Sequence, residues 1–166
     1  MNLIDATKNG DIRLVRELLE EGADPNFKDR NGKNALIYAT LEEDTEMGRL
    51  LLDYEANPNI RDNEGENALI ISVYEHTEMG RLLLENGADP NIRDNDGSTP
   101  LMIAAYEGDT EMVRLLLEKG ADPTIMAYDG HTAFSAAVEN QNRVYSPSAD
   151  IVELLERHIM STKIQS

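Results

Sequence analysis

The sequence predicts an all-α fold, a solenoid of about five stacked helix-turn-helix units joined by β-turns. Three observations predict it. Leu19-Glu20-Glu21-Gly22-Ala23-Asp24-Pro25-Asn26 returns as Leu52-Asp53-Tyr54-Glu55-Ala56-Asn57-Pro58-Asn59, as Leu84-Glu85-Asn86-Gly87-Ala88-Asp89-Pro90-Asn91 and as Leu117-Glu118-Lys119-Gly120-Ala121-Asp122-Pro123-Thr124. Residues 22, 55, 87 and 120 thus set spacings of 33, 32 and 33, within the range of helical repeat arrays. A second phrase, Asp29-x-x-Gly32-x-Asn34-Ala35-Leu36, keeps the same phase from Asp62 to Leu69, from Asp94 to Leu101 and, more loosely, from Tyr128 to Phe134. Between these phrases lie short segments with helical apolar spacing, too short to be stable alone, so each unit must stack on neighbours.

The units read as 1–28, 29–61, 62–93, 94–126 and 127–166. The first starts at its inner helix without a preceding turn, as an N-terminal cap does. The most regular unit is the fourth. Asp94-x-x-Gly97 supplies a turn, since Gly accepts positive φ and Asp bonds its own backbone. A helix from about Thr99 to Tyr106, a break at Glu107-Gly108-Asp109 and a helix from about Thr110 to Lys119 follow, the last with Met112, Val113, Leu115, Leu116 and Leu117 as a broad apolar face.

Gly22, Gly87 and Gly120 stand where a helix end favours a left-handed residue. Glu55 holds that place in the second unit, and Gly48 and Gly80 hold the place of Val113. A helical Gly costs roughly 1 kcal/mol relative to Ala, so units two and three are expected to be the weaker ones. Unit three also lacks the Gly108 equivalent, because Glu75 runs straight into His76. The last unit carries about six extra residues near Asn142–Pro147, with Ser146-Pro147 reading as the cap and first-turn proline of the final helix.

Asp94-x-x-Gly97-x-Thr99-Pro100-Leu101-Met102-Ile103-Ala104 with Gly108 and Gly120-Ala121-Asp122 follows a known signature, with Met102 in its His position. On these residues the chain resembles the ankyrin-repeat family over nearly its whole length. The resemblance implies one ankyrin-repeat domain over 1–166. The signature His is replaced throughout, by Ile4, Ile37, Ile70, Met102 and Ser135. The first four are apolar and are expected to be packed.

Composition removes several functions. The formal net charge is −17, with no Cys, no Trp and 5% aromatic residues. Such a charge repels phosphate backbones and anionic headgroups, so nucleic acid and membrane surfaces are disfavoured partners. Without Cys there is no disulfide framework, thiolate metal site or thiol nucleophile. The three His, His76, His131 and His158, are scattered, and nothing pairs them at metal-ligand or triad spacing. Asp94-Asn95-Asp96-Gly97 places its Gly fourth, where a calcium loop needs it sixth. Phosphate-binding Gly motifs are missing as well. The expectation is therefore no catalytic residue, no metal and no cofactor. The N-terminal stretch has no secretory pattern and no apolar run spans a bilayer, so a cytoplasmic protein is expected.

The resemblance implies protein binding by the turn tips and the exposed side of the inner helices, which line a concave groove in the family. Carried residue by residue, Lys28, Arg61, Arg93 and Met126 stand just before the turns. Asn63, Glu64 and Glu66, then Asn95 and Asp96, then Tyr128 and His131 stand at tips. Leu41 and Glu42, Tyr74 and Glu75, Tyr106 and Glu107, and Glu139 lie late on the inner helices. The stripe of Leu41, Tyr74 and Tyr106 beside Glu42, Glu75 and Glu107 has the composition of a protein-binding hot spot, though tyrosines packing between repeats would explain it too. Units three and four, with two Lys+Arg against seven Asp+Glu in each, are the acidic centre. That distribution suits a basic partner, while solubility alone is a competing explanation for the acidity. The leading expectation is a monomeric, non-enzymatic interaction module. A small acidic inhibitor or immunity-type protein blocking a basic enzyme is an alternative, and a structural repeat scaffold without a dedicated partner is another.

Overall fold

The computed structural model describes residues 2–74, 77–141 and 148–164. These form ten α-helices, with no β-strand among the described residues. The helices fall into two compact units, Met1–Ala88 and Asp89–Ser166. The first holds α1 (Leu3–Lys8), α2 (Ile12–Glu20), α3 (Ala35–Leu41), α4 (Thr45–Asp53), α5 (Ala68–Ser72) and α6 (Thr77–Glu85). The second holds α7 (Pro100–Glu107), α8 (Thr110–Glu118), α9 (Ala133–Gln141) and α10 (Ser148–Ile164). The expected helices of the fourth repeat thus sit within a residue or so of their places. The Asn142–Pro147 insertion and His76 lie outside the described residues.

Local sequence starts seven of these helices. Inner helices α1, α3 and α5 are capped by Asn2, Asn34 and Asn67, and α7 by Thr99. Outer helices α2, α4 and α8 are capped by Asp11, Asp44 and Asp109. In every case the cap side chain accepts a hydrogen bond from the amide three residues on, satisfying one of the orphan donors of a helix start. Left-handed residues end the helices: Gly22, Gly87 and Gly120 have φ of 92°, 85° and 90°. Glu55, at 63°, adopts the same conformation without glycine's freedom, as its position in the repeat predicts. Glu43, at 57°, does so as well, in the place of Gly10 and Gly108, and costs the second repeat a further backbone strain.

Helices this short persist only through packing. In the first unit α3 packs on α1 and α5, and α4 on α6. Leu36, Ile37, Met47, Leu51, Leu69, Ile70, Met79 and Leu83 are fully buried there, each worth about 1.5–3 kcal/mol of transfer free energy. In the second unit α7 packs on α9 and α8 on α10, burying Leu101, Met112, Leu116 and Ile151. Ile4, Ile37, Ile70 and Met102 are all buried, so the signature-His position is apolar packing in the first four repeats. Ser135, in the fifth, instead exchanges hydrogen bonds with Thr132: its Oγ accepts from Thr132 N at 2.8 Å, and its amide donates to Thr132 Oγ1 at 3.2 Å.

Gly48 has a reason the propensity argument misses. A Cβ there would lie 2.8 Å from Met79 Cε and 2.9 Å from Met79 Sδ. The missing side chain makes the hole into which α6 inserts a buried methionine, so the local helix cost is offset by packing.

The Pro-Asn phrase is a stacking device. Asn26 accepts from Asn57 N at 2.7 Å and donates to Glu55 O at 3.3 Å, and Asn59 donates to Gly87 O at 3.0 Å. In the second unit Asn91 accepts from Asp122 N at 2.7 Å and donates to Gly120 O at 3.2 Å. Each asparagine bridges to the helix end one repeat onward, which ties the period of the sequence to the spacing of the stack.

Candidate functional site

The turns that present the proposed contact residues are built around their leading aspartates. Asp29 Oδ1 accepts from Asn31 N (2.8 Å) and Lys33 N (3.0 Å), Asp62 Oδ1 from Glu64 N (2.9 Å) and Glu66 N (3.0 Å), and Asp94 Oδ1 from Asp96 N (2.9 Å) and Ser98 N (2.8 Å). The Asp-x-x-Gly phrase therefore carries its own closure, and the intervening side chains point outward.

In the first unit, Asp29 also accepts from the Tyr38 hydroxyl at 2.6 Å, and the Lys8 ammonium stands 4.0 Å from the Tyr38 ring centroid. Burial raises the Asp29 carboxyl, but bonds from Tyr38, Lys33 and Asn31 and the nearby Lys8 charge outweigh it and hold the pKa below its ordinary value. Asp62, Glu64 and Glu66 offer carboxylate oxygens within 4.8 Å of one another. The Lys33 ammonium is already paired with Asp62 at this cluster. Burial opposes the lysine's charge, yet its hydrogen bond to Asp62 and the charges of Asp62, Glu64 and Glu66 raise its pKa. Glu64 is exposed and Glu66 half-buried. Arg61 is exposed but holds its own turn, donating from Nε to Gly65 O at 2.9 Å, while Lys28 Nζ donates to Arg61 O at 2.7 Å. Leu41, the last residue of α3, is 44% exposed, and Tyr74, just past α5, is 47% exposed. Glu42 beside Leu41 is exposed. Glu75 lies outside the described residues.

In the second unit, Arg93 is a staple. Its Nε donates to Gly97 O at 3.1 Å, its Nη2 to Met126 O, and its guanidinium stacks 5.1 Å from the Tyr128 ring centroid. Tyr128 is 75% exposed all the same, and neighbouring Met126 is 59% exposed. The Tyr128 amide donates to Asp96 O at 3.0 Å, placing the exposed Asp96 beside that ring's turn. Tyr106 is half-buried and Glu107 exposed at the end of α7. His131 lies between carboxylates, with Nδ1 2.8 Å from Asp129 Oδ2 and Nε2 2.9 Å from Glu139 Oε1. Both ring nitrogens are thus at hydrogen-bonding distance from a carboxylate. A shallow cleft of about 320 Å³ between α8 and α10 is lined by Leu117 and Leu154 together with Arg114, Glu118, Arg157, His158 and Ser161.

The candidate residues thus separate by environment. Leu41, Glu42, Glu64 and Tyr74 in one unit, and Asp96, Glu107 and Tyr128 in the other, reach solvent. Arg61 and Arg93 spend donors on their turns, and Glu66 belongs to the Lys33 cluster. Reading by sequence missed Tyr38, whose hydroxyl anchors a turn, and Phe27, which is exposed beside the Pro-Asn phrase. Tyr38 stands where later repeats have Ile71 and Ile103, a departure that was available as a signal.

Among the described residues, no helix is long and apolar enough to cross a membrane. A family model described as ankyrin repeats (3 copies) matches residues 3–94 and 86–163. No curated protein matches the chain.

Proposed function

Because the chain belongs to the ankyrin-repeat family, whose members are generally protein-interaction modules, we propose that it is a non-enzymatic module that holds a protein partner on its turn tips and inner-helix ends, with a basic partner preferred. The observation that carries this reading is the exposure of large apolar side chains at those positions. Leu41 and Tyr74 in one unit and Met126 and Tyr128 in the other stand in solvent, while the helix positions behind them are packed. Exposed tyrosines bordered by carboxylates form an amphipathic, low-entropy contact surface, and a surplus of acid steers basic partners toward it.

The test is binding by variants that keep the fold. Tyr74→Ala and Tyr128→Ala are expected each to weaken a cognate partner at least tenfold with unchanged circular dichroism, and the affinity of the parent is expected to fall as salt rises. Unaltered affinity in both variants would refute this surface.

A further inference from the structure

The last turn of the second unit is closed by chemistry unlike that of the turns led by Asp29, Asp62 and Asp94. Ala127 stands where those turns have their aspartate. The backbone turn survives: Ala127 N–H donates to His131 O at 2.8 Å, and Gly130 N–H to Ala127 O at 3.0 Å. The missing carboxylate is supplied from inside the turn by Asp129, whose Oδ1 accepts from the His131 amide at 3.0 Å. Asp129 Oδ2 then meets His131 Nδ1, and the far ring nitrogen meets Glu139 on α9.

A neutral imidazole has one N–H and one lone pair. Here both nitrogens face carboxylate oxygens at hydrogen-bonding distance, and only the doubly protonated ring can donate to both. Among the described residues, the charged groups acting on the ring are Asp129 of its own turn and Glu139 of α9. Hydrogen bonding and charge from Asp129, then from Glu139, raise the imidazole above its ordinary 6.5. Bonds from the His131 amide and ring lower Asp129 below its ordinary 3.8. The same turn carries the exposed Tyr128, and Val138, next to Glu139, is also exposed.

We infer that His131 is a proton-operated clip on the docking surface: protonated, it ties the terminal turn to α9 and occupies two carboxylates; neutral, it releases one and presents a more acidic rim to a basic partner. The clip's effect on docking rests on the reading of the turn tips as a contact surface, whereas the clip itself does not. Loss of the proton takes the three-residue cluster from one net negative charge to two, beside an aromatic anchor. A basic partner is therefore held more tightly as pH rises through the imidazole's pKa.

The test is nuclear magnetic resonance of the full chain, the His131 signals being identified by their loss in H131Q. The ring is expected to titrate above 6.5, and E139Q to bring its midpoint down. Exchange of the Gly130 and His131 amides, corrected for intrinsic rate, is expected to accelerate as pH passes the midpoint. With hexalysine as the basic probe, binding seen at the amides of residues 128–131 is expected to be about two- to threefold tighter at pH 8 than at pH 5.5. In H131Q that difference is expected to vanish. A midpoint at or below 6.5, indifference to E139Q, or an equal hexalysine response with pH in H131Q would each overturn the clip. Because the titration is read with no partner present, its failure is distinguishable from failure of the turn tips to bind any protein.

Discussion

The turn of residues 62–66 and the turn of residues 127–131 share a backbone and almost nothing else. In the first, the Asp62 side chain is 1% exposed and holds two amides and the Lys33 ammonium. In the second, Asp129 is 65% and His131 49% exposed, and the closure is an ion pair standing in water. The neighbours differ in the same way. At Gly32, in the Asp29 turn one repeat before Asp62, a Cβ would lie 2.9 Å from the Asn63 backbone nitrogen. At Gly130 it would meet nothing within 4 Å. One turn geometry is thus held by packing and buried charge where a repeat stacks beside it, and by solvent-exposed charge where the tip is open. Stability should concentrate in the packed turns and pH sensitivity near neutrality in the open one.

The sharpest way to break that contrast is to remove the two aspartates in turn. Asp62→Ala strips the half-buried Lys33 ammonium and two amides of their acceptor and is expected to cost about 2–3 kcal/mol in urea unfolding. Asp129→Ala is expected to move the midpoint far less. Next come the glycines. Gly32→Ala adds overlap with the Asn63 backbone to the penalty of positive φ and is expected to cost about 2–3 kcal/mol, whereas Gly130→Ala meets only the conformational penalty, about 1 kcal/mol. Equal losses at the two sites would show that the neighbouring repeat does not press on the Asp29 turn.

A smaller effect separates two repeats of one unit. The Asn67 Nδ2 donates to Pro58 O at 3.2 Å, while the Asn34 Nδ2 is buried without a partner. Threonine caps the same helix position at Thr99. Asn67→Thr is therefore expected to lose about 1 kcal/mol, and Asn34→Thr to be neutral or stabilising, since it deletes an orphaned donor and keeps a cap.

The pH response is the gentlest test, and its sign differs between the turns. Asp29 has its pKa lowered, so its contribution is complete above 3.8 and is lost as pH falls through the folded value. His131 has its pKa raised, so its contribution is complete below 6.5 and is lost as pH rises through the folded value. Asp129, lowered as well, bounds the same clip on the acid side. Amide exchange across pH 3 to 9 should show the 127–131 turn protected best between about 4 and 6.5, and the Asp29 turn protected from about 4 upward.

Most of the fold was legible because its causes are local. Caps, turn aspartates and left-handed glycines act within four residues, so their spacing reads directly as helices and breaks. Glu55 at positive φ follows from its phase alone, and Glu43 could have been found by the same alignment with Gly10 and Gly108. The candidate surface was legible only in part. Residue type and repeat phase point to Leu41, Tyr74 and Tyr128, but they do not reveal that Arg93 is spent stapling Tyr128's turn or that Lys33 reaches Asp62. Those contacts join residues 29 to 35 positions apart, and they depend on the rotation of one repeat over the next.

Asn34-Ala35-Leu36-Ile37 and Asn67-Ala68-Leu69-Ile70 draw the line between the two kinds of information. By itself the tetrapeptide determined the cap, the helix start and the buried isoleucine, because each rests on hydrogen bonds and periodicity within one turn. Whether the asparagine's other arm finds a carbonyl was decided by the tertiary structure alone. That arm must reach a backbone nine residues back, where a shift of a few tenths of an ångström separates a hydrogen bond from a buried, unanswered donor.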